Sequence, residues 1–222
     1  GLASGAIKAS YCLTEPGSGS DALAAKTKAV LSADGKHYVL NGQKMWISNA
    51  GFAEIFIVFA RIENDKNITA FIMEFDKNNP NGVTLGAEEN KLGIASSSTR
   101  QVFFADTKIP VENMLSERGQ GFKIALNSLN VGRIKLAAAC LDASRRVIKE
   151  SVVYANQRVQ FKTPIAKFGA IQAKLAEMSM RAFVSDAGSY RAAKDIQNYI
   201  EDLLTKGKTH QEAELEAFSE YA

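Results

Sequence analysis

Little cysteine, no long apolar stretch and almost no charge imbalance mark this chain, and each shortage excludes something. Its two cysteines, Cys12 and Cys140, lie far apart with no Cys-x-x-Cys or Cys/His cluster. Neither a disulfide framework nor a zinc site is expected, and a reducing compartment fits. The longest apolar runs, Ile55 to Ala60 and Leu136 to Leu141, fall far short of the roughly 20 residues that a membrane-crossing helix needs. Basic and acidic side chains number 27 and 24, a net charge of +3 over 222 residues. That field is too weak to nominate nucleic acid or an anionic membrane as a partner. Of the two histidines, His37 and His210, neither has a Ser, Cys or Asp partner pattern, and neither reads as a catalyst. The opening Gly1-Leu2-Ala3-Ser4-Gly5 has no initiator methionine, basic n-region or apolar h-region, so no signal peptide is read. The chain is expected to be cut from a longer polypeptide.

What is present falls into two periods. Up to about residue 115, short runs rich in β-branched and aromatic residues alternate with Gly, Asn, Asp and Pro: Ile7 to Leu13, Tyr38 to Leu40, Lys44 to Ile47, Ile55 to Ile62, Ile68 to Phe75 and Gln101 to Phe104. These read as strands, with Asn41-Gly42 as a type I′ hairpin turn between two of them. After Gly119-Gln120-Gly121, apolar residues recur three or four apart from Phe122 onward, and no proline intervenes before Pro164. One long helix is expected there, a second from Phe168 to before Gly207, and a third opened by the capping box Thr209 to Glu212 and running to Ala222. The expected fold class is α+β: an antiparallel, barrel-like β domain over 1–118, followed by part of an antiparallel helical bundle over 119–222.

Two segments carry chemistry. Tyr11-Cys12-Leu13-Thr14-Glu15-Pro16-Gly17-Ser18-Gly19-Ser20-Asp21 leaves a strand and presents small and hydroxyl residues whose N–H and O–H groups suit an anion or a heteroaromatic edge. It matches neither G-x-G-x-x-G nor the P-loop spacing, and a solvated turn joining two strands would look the same. Gly42-Gln43-Lys44-Met45-Trp46-Ile47-Ser48-Asn49-Ala50 leads the chain's only tryptophan into a polar run. That indole could pack in the core or stack on a planar cofactor.

Taken together, the two segments resemble the acyl-CoA dehydrogenase family. Cys12-Leu13-Thr14-Glu15-Pro16 with Gly19-Ser20-Asp21 is similar to its first signature, and Asn41 to Asn49 to its flavin-covering strand, although many members have threonine where Ser48 stands. Lys91-Leu92-Gly93-Ile94 with Ser97-Ser98-Thr99, Val111 to Leu115, Asn130-Val131-Gly132-Arg133, and Arg158-Val159-Gln160-Phe161 with Phe168 to Gln172 follow in family order. The likeness covers essentially the whole chain and is nearest to the very-long-chain branch.

The resemblance implies an FAD enzyme that oxidises acyl-CoA to trans-2-enoyl-CoA, passing hydride to flavin N5 and electrons on to an electron-transfer flavoprotein. It implies that Leu13 and Thr14 bond the pyrimidine edge, Ser48 donates to N5, Trp46 packs on the ring and Ser20 meets the pyrophosphate or pantetheine arm, with Tyr11, Gly19 and Ile47 beside them. Arg133, with Asn130, would meet CoA. Arg158, Gln160, Phe161, Phe168 and Gly169 would take the FAD adenosine and pyrophosphate of a neighbouring subunit, making a homodimer the minimum competent unit. No catalytic residue is assigned. One branch carries its glutamate directly before the arginine matched by Arg133, and that position here is Gly132; other members carry it in a segment expected to be missing. Glu15 and Glu150 read as a turn residue and a solvated helix residue. The chain by itself is therefore expected to be inactive, and its parent to work in a bacterial cytoplasm or the mitochondrial matrix. Two alternatives stay open: a family relative recruited for assembly or binding, and an unrelated β-sandwich binding module with a helical tail.

Overall fold

A computed structural model describes residues 1–221; the expected helical position of Ala222 lies outside the described residues. The chain divides into two compact units, Gly1–Ala125 and Leu126 onward. The division falls inside the first long helix, α1 (Gly121–Gln157).

The first unit is built on β1 (Ala9–Cys12), β2 (Lys28–Leu31), β3 (His37–Ser48), β4 (Ile55–Ile62), β5 (Thr69–Glu74), β6 (Val83–Glu88), β7 (Thr99–Pro110) and β8 (Met114–Leu115). They form one open sheet in the order β6-β7-β3-β2-β4-β5-β8, with β1 also on β4. The expectation of a barrel-like domain is therefore corrected: β6 and β8 end the sheet without meeting. Most pairings are antiparallel, but β1 and β2 both run parallel to β4, β1 along Ile55 to Val58 and β2 at Arg61 and Ile62.

Alternation along β4 explains its place at the centre. Phe56, Val58, Ala60 and Ile62 enter one buried cluster with Leu40, Phe71, Met73 and Val102. Ile57 and Phe59, one residue out of step, enter a second with Ile68, Ala70, Phe122 and Ala125, because successive side chains of a strand leave opposite faces. The start of α1 caps this second face. Gly121 donates its N–H to the Ile68 carbonyl at 2.9 Å, and a Cβ there would lie 2.7 Å from the same oxygen.

Asn41-Gly42 is not a hairpin turn. It lies within the continuous β3, at a register shift against β7. Gly42 is required by close approach, since a Cβ there would lie 2.7 Å from the Thr27 Cα.

The second unit holds the rest of α1, a short hairpin of β9 (Val159–Gln160) and β10 (Thr163–Pro164), α2 (Gly169–Thr205) and α3 (His210–Tyr221). α1 and α2 run antiparallel, as expected of a partial bundle, with Arg145 bonded to Asp186 at 2.7 Å. Gly207, at φ +85, closes α2, with the Lys208 N–H reaching back to the Leu203 carbonyl. The capping box is present: Thr209 N–H donates to Glu212 Oε2 at 2.9 Å, and Glu212 N–H to Thr209 Oγ1 at 3.3 Å. Few large side chains are buried here, and Leu136, Val147, Phe183, Val184 and Tyr190 stay exposed.

Candidate functional site

The base of the candidate site is a buried ion pair. Lys44 falls on the inward-facing phase of β3 and is wholly buried. Its Nζ donates to Glu15 Oε1 at 2.8 Å, to the Leu13 carbonyl at 3.1 Å and to the Phe59 carbonyl at 2.6 Å. Glu15 accepts further N–H bonds from Lys26 at 2.5 Å and Thr27 at 3.0 Å. Every proton of the ammonium thus has an acceptor, which a charge removed from water requires. Burial by itself would raise the Glu15 carboxyl, but the Lys44 charge and the hydrogen bonds from Lys44, Thr27 and Lys26 outweigh it and hold it below its ordinary value. Burial lowers the Lys44 ammonium, against the pull of Glu15. Three acceptors facing Nζ favour the charged form of the lysine against that burial.

This pair fixes the end of β1 against the end of β3. The Met45 N–H donates to the Thr14 carbonyl at 2.9 Å, Ser10 Oγ to the Ser48 carbonyl at 2.8 Å and Asn49 Nδ2 to the Ala9 carbonyl at 3.2 Å. Leu13, Thr14, Trp46, Ile47 and Ser48 are thereby gathered in one place. At that end of β3 the ladder slips between Lys44 and Ile47, and Trp46 adopts φ +57, a left-handed conformation that is unfavourable for a bulky residue. The bulge turns the indole outward, 61% exposed, so it is not core packing. Ile47 is buried, and Ser48 is exposed.

The other residues of the first segment differ in what they leave free. Tyr11 is engaged: its hydroxyl donates to the Ala125 carbonyl at 3.2 Å, its ring centroid lies 5.0 Å from that of Phe59, and burial pushes the phenol up to about 12. Thr14, Ser20 and Ser48 have hydroxyls with no hydrogen-bond partner among the described residues. Gly17 and Gly19 face open space. Cys12 is buried, and its thiol is raised to about 12 by burial, which suits packing rather than reactivity.

In the second unit, Arg133 Nη1 donates to the buried Asn130 Oδ1 at 2.8 Å, near the start of α1. Arg158, Gln160, Phe161, Phe168 and Gly169 gather around the β9–β10 hairpin at its far end. The Ile165 N–H donates to the Arg158 carbonyl at 2.9 Å, the rings of Phe161 and Phe168 lie 6.4 Å apart, and Gln160 donates to the Val159 carbonyl. Phe161 and Lys162 both take positive φ, +51 and +59, which makes a tight two-residue turn and leaves Phe161 91% exposed. Helix α2 begins beside it with no side-chain cap at Phe168. At 1.5 Å per residue, Arg133 and Arg158 stand about 38 Å apart along α1, so the two groups form separate sites within one chain.

Sequence reasoning missed the Lys44–Glu15 pair and the Trp46 backbone. Its one available signal was a lysine in step with Tyr38 and Leu40 on the inward phase of β3. Glu88 was missed as well. It anchors the 89–98 loop by accepting from Ser98, the Thr99 N–H and Arg100, bonds that hold its carboxyl at about 2.

Comparison with known proteins gives consistent matches. Residues 10–107 match the acyl-CoA dehydrogenase middle domain and residues 119–212 the acyl-CoA dehydrogenase C-terminal domain. A probable acyl-CoA dehydrogenase of Bacillus subtilis is 53% identical over 191 residues, 86% of this chain and 32% of that protein. The very long-chain specific mitochondrial acyl-CoA dehydrogenase of Macaca fascicularis is 45% identical over 210 residues, 91% of this chain and again 32% of the relative. The chain thus spans about a third of the length of these relatives. A crystal structure of an acyl-CoA dehydrogenase complexed with FAD from Bacillus anthracis superposes with a TM-score of 0.83 at 45% identity, covering 96% of this chain and 36% of that one. With two ordered domain matches and relatives of this identity along most of its length, the chain belongs to the acyl-CoA dehydrogenase family.

Proposed function

We propose that this chain supplies the flavin- and acyl-CoA-binding faces of an FAD-dependent acyl-CoA dehydrogenase that oxidises acyl-CoA to trans-2-enoyl-CoA. The observation that carries the reading is the outward Trp46 indole, held at positive φ beside the Leu13–Thr14 peptide and unpartnered hydroxyls. Such a set fits a planar heteroaromatic ring with an acceptor-rich edge. When bound, FAD would supply the hydride acceptor at N5.

The chain's own residues then divide the work. The Thr14 N–H and hydroxyl would hold the pyrimidine edge, the Ser48 hydroxyl would be the donor for N5, and Trp46 would pack on the ring. Leu13, Tyr11 and Ile47 contribute backbone while their side chains anchor it. Gly19 leaves room, and Ser20 offers a donor, for the pyrophosphate or pantetheine arm. Asn130 orients Arg133 toward the phosphates of CoA, to which a guanidinium is matched by charge and fork geometry. Arg158, Gln160, Phe161, Phe168 and Gly169 take the adenosine and pyrophosphate of a neighbouring subunit's FAD. The separation along α1 supports a homodimer in which that hairpin serves another site.

Neither oxygen of Glu15 is free to take a proton, Gly132 has no side chain, and Glu150 is solvent-exposed on α1. None of them is assigned as the base, and these 222 residues by themselves are proposed not to turn over substrate. Electrons would leave to an electron-transfer flavoprotein. Adding FAD to the purified protein tests the binding reading: stoichiometric yellow protein after gel filtration is expected, and colourless protein at saturating FAD overturns it.

A further inference from the structure

The Leu13 carbonyl that accepts from Lys44 and the Thr14 N–H belong to one peptide unit. An ammonium on the oxygen of an amide draws electron density toward it and makes the N–H at the other end a stronger donor. Lys44 is fully buried and 3.1 Å from that oxygen, and the neighbouring Glu15 carboxylate cancels most of its long-range field. What remains is local polarisation of a single amide, delivered where the outer edge of β1 meets the exposed indole.

We propose that Lys44 is a positioning residue that tunes a bound flavin through the Leu13–Thr14 peptide, strengthening the bond from Thr14 N–H to the ring edge that gains negative charge on reduction. The inference rests on the flavin reading above. Glu15 holds the lysine in place and the Phe59 carbonyl fixes its direction. A buried charge pair that served packing alone could be replaced by neutral groups of the same shape without consequence for the ring.

The test is the two-electron reduction potential of the FAD-loaded protein, read by dye-linked spectrophotometric titration. In Glu15→Gln/Lys44→Gln both charges are removed and a neutral amide donor stays on the β3 side chain. A charge-assisted bond is roughly twice as strong as a neutral one, so the reduction equilibrium is expected to weaken by roughly three- to tenfold, the upper figure being about 30 mV for two electrons. FAD-loaded double variant at unchanged potential overturns the inference while the flavin reading stands. Glu15→Gln alone, measured at pH 6 to favour the charged lysine, serves if the double variant does not fold. It leaves the ammonium uncompensated and is expected to raise the potential; an unchanged or lowered value overturns the inference. A purely structural lysine would move stability and leave the potential of the double variant, from which both charges are gone, in place. Wild-type protein that takes up no FAD sinks the flavin reading and this inference together.

Discussion

Lys44 shows how much one side chain can commit a sheet. Lys44→Met removes the cation and leaves the Glu15 carboxylate buried with two N–H donors and no counter-charge. That situation costs about 3–5 kcal/mol, to be read as a lowered denaturant midpoint at constant slope. Glu15→Leu/Lys44→Met removes the unpaired charge as well and is expected to recover most of the loss, since buried ion pairs gain little over well-packed apolar groups. The same pair sets an acid limit. The folded-state Glu15 value lies below the ordinary 4.5, so its contribution is complete above that pH and disappears as pH falls through the folded value. Thermal melts at descending pH should show the wild type losing stability below about pH 4.5 and Glu15→Leu/Lys44→Met losing less.

At the level of elements, caps and turns decide. Thr209→Ala breaks the reciprocal bonds with Glu212 at the start of α3 and should cost about 1 kcal/mol, visible as a loss in urea unfolding. The β9–β10 turn offers the opposite case. Lys162 sits at φ +59, where a side chain is strained and glycine is not. Lys162→Gly should stabilise the protein by about 0.5–1 kcal/mol, and unchanged unfolding would show the turn to be relaxed. These local signals are also what sequence reads well: the capping box, Gly207 after α2, and the strand over Ile55 to Ile62 all stand in the structure as expected. Asn41-Gly42 was misread for the complementary reason. Its turn propensity is local, whereas the long β3–β7 pairing and the close approach of Thr27 are not. Nor does any neighbour in sequence announce the bulge that turns Trp46 outward, because it arises from a register shift against a distant strand.

For the whole molecule, closure of the sheet was the feature sequence could not supply. Barrel or open sheet depends on whether the first and last strands in space meet, and here β6 and β8 do not. The motifs were legible from residue types and spacing, whereas their grouping came only from the family resemblance: in the structure one set gathers where β1 meets β3, another at the β9–β10 hairpin, and the length of α1 keeps the latter away from Arg133. If the hairpin serves a neighbouring subunit, complementation follows. Arg158→Ala should retain FAD poorly, as should Trp46→Ala, yet dissociated and remixed subunits should regain about a quarter of the sites, because hybrid dimers hold one intact site each. No recovery on mixing would place both residues in the same subunit's site. The outward Trp46 has a practical corollary, because it is the chain's sole indole and it stands in water. Six tyrosines also absorb in the ultraviolet, but excitation at the red edge, where only the indole absorbs, confines the emission to a single point, so its colour and intensity form a built-in gauge of whatever settles there, with no label to attach.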